Sequence, residues 1–165
     1  MASLAILTWP NPVLQLKSTA VTSFDAALAE LVSGMFGAMY QASGRGLAAA
    51  QVGVLARVFV MDATWKVGEP GPQVFVNPEI VEHGTERLRG PESCLSLPGV
   101  SIDVERSVSL RMGWLDAAGM PKSGWLHGFA AICAQHECDH LDGILTLDHL
   151  SPSERNAALA RQRSG

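Results

Sequence analysis

The chain has no long apolar run, few cysteines and no excess of basic residues, and each absence removes a class of function. Its uninterrupted apolar stretches, such as residues 129–134, fall far short of the ~20 residues that a membrane span needs. Twelve Lys and Arg against sixteen Asp and Glu leave a net charge of −4, so neither nucleic-acid readout nor attraction to an anionic membrane is expected. Three cysteines, Cys94, Cys133 and Cys138, are odd in number, which argues against a disulfide framework and for a reducing, cytoplasmic compartment. Residues 1–10 carry no basic side chain before a brief apolar run that Pro10 and Pro12 cut off, so no signal peptide is expected. What is present is 165 residues of 47% hydrophobic content without repeat, linker or low-complexity tract, and one domain over residues 1–165 is expected.

Residues 23–41 carry Leu28, Leu31, Val32, Met35 and Met39 at helical spacing, with Ser23 as the candidate cap and Gly44 just past the end. Residues 57–62, 73–76, 100–104 and 107–114 are rich in β-formers and read as strands. Asp116 and Gly119 supply turn chemistry for a hairpin that returns through Trp125 and Leu126. Phe129, Ile132, Cys133, His136 and His140 recur at three- and four-residue steps, predicting a helix that Gly143 ends. Ser151-Pro152-Ser153-Glu154 has capping-box spacing with Pro at the first helical position, opening a short terminal helix. Strands in the middle and helices at the ends predict an α+β fold with largely antiparallel sheets.

His136-Glu137-Cys138-Asp139-His140 puts two imidazoles on one helix face, where both can bind one metal ion with Glu137 beside it. The plainer alternative is a pair of partly buried histidines. A catalytic metal calls for three protein ligands and an open position. Thr146 occupies the place where one zinc-protease class carries a further His, and the only Glu beyond Glu137 is Glu154 in the final segment. The third ligand therefore has to lie upstream. Cys94, in Glu92-Ser93-Cys94-Leu95-Ser96, sits between a Gly-Pro step and Leu97-Pro98, an irregular segment able to present a thiolate. It could equally be a small buried hydrophobe.

Gly44-Arg45-Gly46-Leu47-Ala48-Ala49-Ala50-Gln51-Val52-Gly53 is a run of small residues that allows close backbone approach, with Gln51 its one neutral polar side chain. It has neither the spacing nor the Lys of a phosphate loop, so nucleotide binding is not expected; packing alone is the alternative.

In this order the three segments resemble the motifs of the peptide deformylases, Gly-x-Gly-Leu-Ala-Ala-x-Gln, Glu-Gly-Cys-Leu-Ser and His-Glu-x-x-His. The resemblance extends over nearly the whole chain, from Pro10-Asn11-Pro12-Val13-Leu14 through Phe24-Asp25 and Asn77-Pro78 to His140-Leu141-Asp142-Gly143 and Leu150-Ser151-Pro152. It implies antiparallel sheets packed around a central helix that carries the His-Glu-x-x-His motif, with an N-terminal helix and a short C-terminal one. It implies one divalent metal ion held by Cys94, His136 and His140, ferrous iron in the cell, with zinc, nickel or cobalt able to take the same site. Glu137 would act as general base and then general acid. The side-chain amide of Gln51 and the backbone N–H of Leu95 would stabilise the developing oxyanion. The implied substrates are nascent chains that begin with N-formylmethionine, bound extended along strand edges, with release of formate. By the same resemblance Gly46 and Gly90 flank the peptide, and Arg45, Phe129, Ile132 and Cys133 line the methionine pocket.

Two positions depart from the family pattern. Arg45 stands where a small aliphatic residue is usual, at the mouth of the pocket. Ser93 replaces the usual Gly before the ligand Cys, adding a Cβ and a hydroxyl. They motivate the alternative of a deformylase-like paralogue with altered substrate range or low activity. A zincin-like endopeptidase shares the helix pattern but leaves Cys94 and the Gln51 segment unexplained. Arg155, Arg161 and Arg163 give an acidic chain a basic tail, compatible with transient ribosome association, with a noncatalytic metal-binding module, or simply with a solvated helix face.

Overall fold

The computed structural model describes residues 4–164, without the side chains of Arg163 and Ser164; the start of the chain, Met1-Ala2-Ser3, lies outside the described residues. Three helices are present among them, α1 (Ala26–Gln41), α2 (Phe129–Leu141) and α3 (Pro152–Ser164). The strands are β1 (Gly46–Ala48), β2 (Val58–Asp62), β3 (Pro72–His83), β4 (Arg87–Cys94), β5 (Leu97–Ser107), β6 (Ser109–Leu115) and β7 (Pro121–His127). They form a five-stranded sheet in the order β1-β2-β3-β6-β7 and a two-stranded sheet β4-β5, with every ladder antiparallel. The α+β expectation holds, and α2 packs against strands of both sheets.

The core follows from strand alternation. Every residue of β2 is buried: Val58 and Val60 face the cluster built with Leu28, Val32, Met35 and Met39 of α1, while Phe59 and Met61 face Ala131 and Ala134 of α2. Phe59 stacks on Phe75 at 4.5 Å between ring centroids. Burying each such side chain is worth roughly 1.5–3 kcal/mol, which fixes the register that carries the site. In β5 the inward residues are Val100, Ile102 and Val104, and Arg106, next on that face, is buried as well.

Several local expectations need correction. The cap of α1 is Asp25, whose Oδ1 accepts from Leu28 N at 3.1 Å, and not Ser23, because the helix starts at Ala26. β3 runs on to His83 through register shifts after Val76 and Ile80, beyond the expected 73–76, because Asn77-Pro78 reads locally as a break. The segment before Cys94 is a regular strand rather than irregular chain, paired with β5 from Arg87 to Ser93. α2 ends as expected: Gly143 has φ +73, and a Cβ there would lie 2.6 Å from the carbonyl oxygen of Gln15. The capping box of α3 is reciprocal, Ser151 Oγ accepting from Glu154 N and Glu154 Oε1 accepting from Ser151 N. At 13 residues α3 equals α2 in length and is not short.

Candidate metal centre

α2 brings His136 and His140 one turn apart on its buried side, and the end of β4 brings Cys94 up to them. His140 Nε2 lies 3.2 Å from His136 Nε2 and 3.4 Å from Cys94 Sγ. Metal bonds of about 2.0–2.1 Å to nitrogen and 2.3 Å to sulfur put tetrahedral donors roughly 3.3–3.7 Å apart, so these spacings suit a single ion. Two imidazole nitrogens and a sulfur facing one point repel one another unless a cation or proton sits among them. The three residues could therefore hold a metal ion.

The tautomer of His136 is set from outside the cluster. Its Nδ1 lies 2.9 Å from Glu92 Oε1, and an ionised carboxylate only accepts, so Nδ1 carries the proton and Nε2 is left free to ligate. Burial works to raise the pKa of Glu92, but hydrogen bonds from Arg106 and His136 overcome it and hold the carboxyl down at about 2. Arg106 donates from Nε and Nη2 to the two Glu92 oxygens, both at 2.9 Å, and from Nη1 to Asp139 Oδ2 at 2.7 Å. Asp139 also meets His149 Nε2 at 2.9 Å. The structure gives the His136 contact to Glu92 and leaves Asp139 to Arg106 and His149.

Glu137 is 3% exposed, and its Oε1 has no hydrogen-bond partner. Burial pushes its carboxyl up to about 7, with His136 and Arg106 opposing and Glu92 and Asp139 reinforcing the shift. His140 Nδ1 is buried without a partner too. Gly46 explains its residue type: a Cβ there would lie 2.6 Å from both Glu137 Oε2 and Cys133 Sγ.

Gln51 sits in the 3-10 turn Ala49–Val52 that follows β1. Its Oε1 accepts from Ala48 N at 2.9 Å, which fixes the amide so that Nε2 points to Ser96 Oγ at 3.0 Å, with Cys94 Sγ at 3.8 Å. Ser96, 1% exposed, is a site contact that sequence reasoning missed, although it stands inside the quoted motif. Away from the cluster, Asp62 at the end of β2 accepts from Thr64 N, Trp65 N and Gly71 N through Oδ1 and from the Tyr40 hydroxyl through Oδ2. Trp65 Nε1 in turn donates to Gly44 O at 3.0 Å, bracing the segment that leads into β1.

An open cavity of about 610 Å³ leads to this cluster. Arg45, Gly46, Gln51, Gly90, Cys94, Leu95, Phe129, Ile132, Cys133, His136 and Glu137 line it, so all the candidate residues except His140, buried beneath, meet there. Cys138 is partly buried against the core cluster that includes Phe59, Phe75 and Met112, and burial raises its thiol pKa to about 12. Ser93 pairs with Ser101 without a positive φ, so the backbone there does not call for glycine. Thr146 is buried in the turn Thr146–His149. In the basic tail Arg155 donates to Asp148 at 2.9 Å, and the Arg163 side chain lies outside the described residues. Among the described residues no helix is long and apolar enough to cross a membrane.

The family model for polypeptide deformylase matches residues 3–156. The peptide deformylase of Brucella suis is 42% identical over 157 residues, covering 94% of this chain and 89% of that protein. Peptide deformylase 2 of Xanthomonas axonopodis is 44% identical over 169 residues, covering 99% and 98%. Among solved structures, a peptide deformylase from Legionella pneumophila superposes with a TM-score of 0.91 at 39% identity, covering 99% of this chain and 95% of that one. The Ehrlichia chaffeensis enzyme in complex with actinonin gives 0.93 at 35% identity, covering 99% and 98%.

Proposed function

The chain belongs to the peptide deformylase family, and we propose that it removes the formyl group from N-formylmethionyl chains through the cluster at the inner end of the cavity. The observation that carries this reading is the convergence of Cys94, His136 and His140 beside the buried, unpartnered Oε1 of Glu137. Cys94, His136 and His140 would hold one divalent ion, since a thiolate and two neutral imidazoles suit a borderline metal; ferrous iron is the occupant in the cell that the family resemblance implies, and zinc, nickel or cobalt fit the same donors. When bound, such an ion acidifies water and polarises a carbonyl.

This chain's own residues do the rest. Glu137 takes a proton from the attacking water as it adds to the formyl carbon, then delivers a proton to the amine nitrogen as the C–N bond breaks. Formate and a free N-terminus leave. The Gln51 amide, aimed by the Ala48 N–H, donates to the oxygen on which charge develops, with the Leu95 N–H as the second donor. Glu92 keeps His136 in the ligating tautomer, and Arg106 keeps Glu92 ionised. Gly46 and Gly90 flank an extended peptide, and Phe129, Ile132 and Cys133 wall the first side chain, with Arg45 at the mouth of that pocket. Substrates of this kind are met in the cytoplasm, and α3 with Arg155 and Arg161 offers a surface for transient contact with ribosomes.

Formate release from formyl-Met-Ala-Ala amide, beside the unformylated peptide, tests the reading. Release from the formylated peptide with no internal cleavage of either is expected; internal cleavage of the unformylated peptide would sink it in favour of an endopeptidase.

A further inference from the structure

Five charged side chains line the cavity: Arg45, Lys66, Glu92, Arg106 and Glu137. Glu92 and Arg106 neutralise each other through two hydrogen bonds, and Glu137 stands at the inner end beside His136. The outer part is therefore cationic in an acidic protein. Neither Arg45 nor Lys66 forms an ion pair among the described residues. Both are held against aromatic rings instead, the Arg45 guanidinium 3.6 Å from the centroid of Phe129 and the Lys66 ammonium 5.4 Å from that of Trp65. Stacking on a ring positions a cation without discharging it.

The mounts are rigid. Arg45 O accepts from Asp62 N at 2.8 Å, and Trp65 Nε1 donates to Gly44 O, so both cations ride on one braced rim. Arg45 is half-buried, where a carboxylate partner gains more than it does in open solvent. Phe129 precedes His136 by seven residues of α2, about 10 Å along the axis at 1.5 Å per residue. An extended chain advances about 3.3 Å per residue, so one that ran from Glu137 toward the start of α2 would reach this wall with its second or third residue.

We propose that Arg45, assisted by Lys66, makes this protein selective for formylated chains with an acidic side chain at the second or third residue. The inference rests on the deformylase reading above, and it turns the departure at position 45 from a defect into a specificity element.

The test compares kcat/KM for formyl-Met-Glu-Ala amide, formyl-Met-Ala-Glu amide, their Gln counterparts, and formyl-Met-Gln-Ala with a free C-terminal carboxylate. Wild-type protein, Arg45→Leu, Arg45→Lys and Lys66→Ala are measured at two ionic strengths. One of the Glu peptides is expected to exceed its Gln counterpart about three- to tenfold, mainly through KM and less at high salt. Arg45→Leu brings that ratio close to one, Arg45→Lys restores part of it, and Lys66→Ala lowers it by a smaller factor. Equal rates for Glu and Gln in the wild type, or a ratio that survives Arg45→Leu, would overturn the proposal. So would a gain that follows the free C-terminal carboxylate whatever the side chain. Absence of formate from every peptide, neutral ones included, would instead overturn the deformylase reading and this inference with it.

Discussion

Glu92 Oε1 lies 2.9 Å from His136 Nδ1, and the far nitrogen of the same ring, Nε2, lies 3.2 Å from His140 Nε2. One carboxylate on β4 thus decides which nitrogen of an imidazole on α2 faces the cluster without a proton. Removing it as Glu92→Ala leaves the tautomer unset and Arg106 half-paired, and metal affinity should fall about 10–100-fold. Competition with a chromophoric chelator for cobalt or zinc reads this directly; unchanged affinity would mean that Glu92 serves only the fold.

Gly46 should tolerate no side chain. In Gly46→Ala the new Cβ would sit 2.6 Å from Glu137 Oε2 and Cys133 Sγ, both on a packed helix, so Glu137 must shift. Overpacking of this kind costs about 1–3 kcal/mol. A lower Tm together with a loss of kcat is expected, while Gly90→Ala, where a Cβ would meet nothing within 4 Å, should leave Tm in place. Equal Tm values for wild type and Gly46→Ala would contradict this packing.

The Asp62–Tyr40 pair predicts a pH dependence at both ends of the scale. Burial works to raise the Asp62 pKa, but hydrogen bonds from Tyr40, Gly71, Thr64 and Trp65 win and hold it below the usual carboxylate value of 3.8. A depressed folded pKa contributes stability that is full above the unfolded value and is lost as pH falls through the folded one. Burial first, and Asp62 second, push Tyr40 up to about 12 from 10.0, so its contribution is full below pH 10 and is lost as pH rises toward 12. Tyr40→Phe should cost about 1–2 kcal/mol at neutral pH and flatten the alkaline limb of the stability curve. Chemical denaturation from pH 2 to 11 measures both; an alkaline limb that Tyr40→Phe leaves unaltered would refute the pairing.

The residues that meet in the cluster were more legible than those that support them. His136 and His140 declare themselves by a four-residue step on an amphipathic helix, and Cys94 and Gln51 by short motifs, because each lies within a local pattern. The Glu92–His136 contact spans 44 positions and depends on the register of β4 against β5, which no local pattern encodes. β4 itself hid behind Gly90-Pro91 and its charged residues, since a two-stranded sheet with one exposed face needs few β-formers. β1, three residues of Gly, Leu and Ala, is a strand only because Met61, Val60 and Phe59 of β2 pair with it. Asp25 displaced Ser23 as the cap of α1 because the turn begins two residues later than the apolar spacing alone indicates.

Cys94→Ser tests the donor set from a different direction. Serine keeps the size and the hydrogen-bonding reach toward Gln51 Nε2 but removes the soft thiolate, so preference among bound metals should move from zinc toward harder ions. In the cobalt-loaded protein the sulfur-to-metal absorption band should vanish. Its persistence would show that Cys94 is not a ligand.

The most direct measurement compares formate release from formyl-Met-Ala-Ala amide by wild-type and Glu137→Ala protein matched for bound metal. A single metal per chain in both, with release in the variant at least about 100-fold slower, is the predicted result. Comparable rates at equal metal content would contradict the assignment of the proton transfers to Glu137 and, with it, the proposed mechanism.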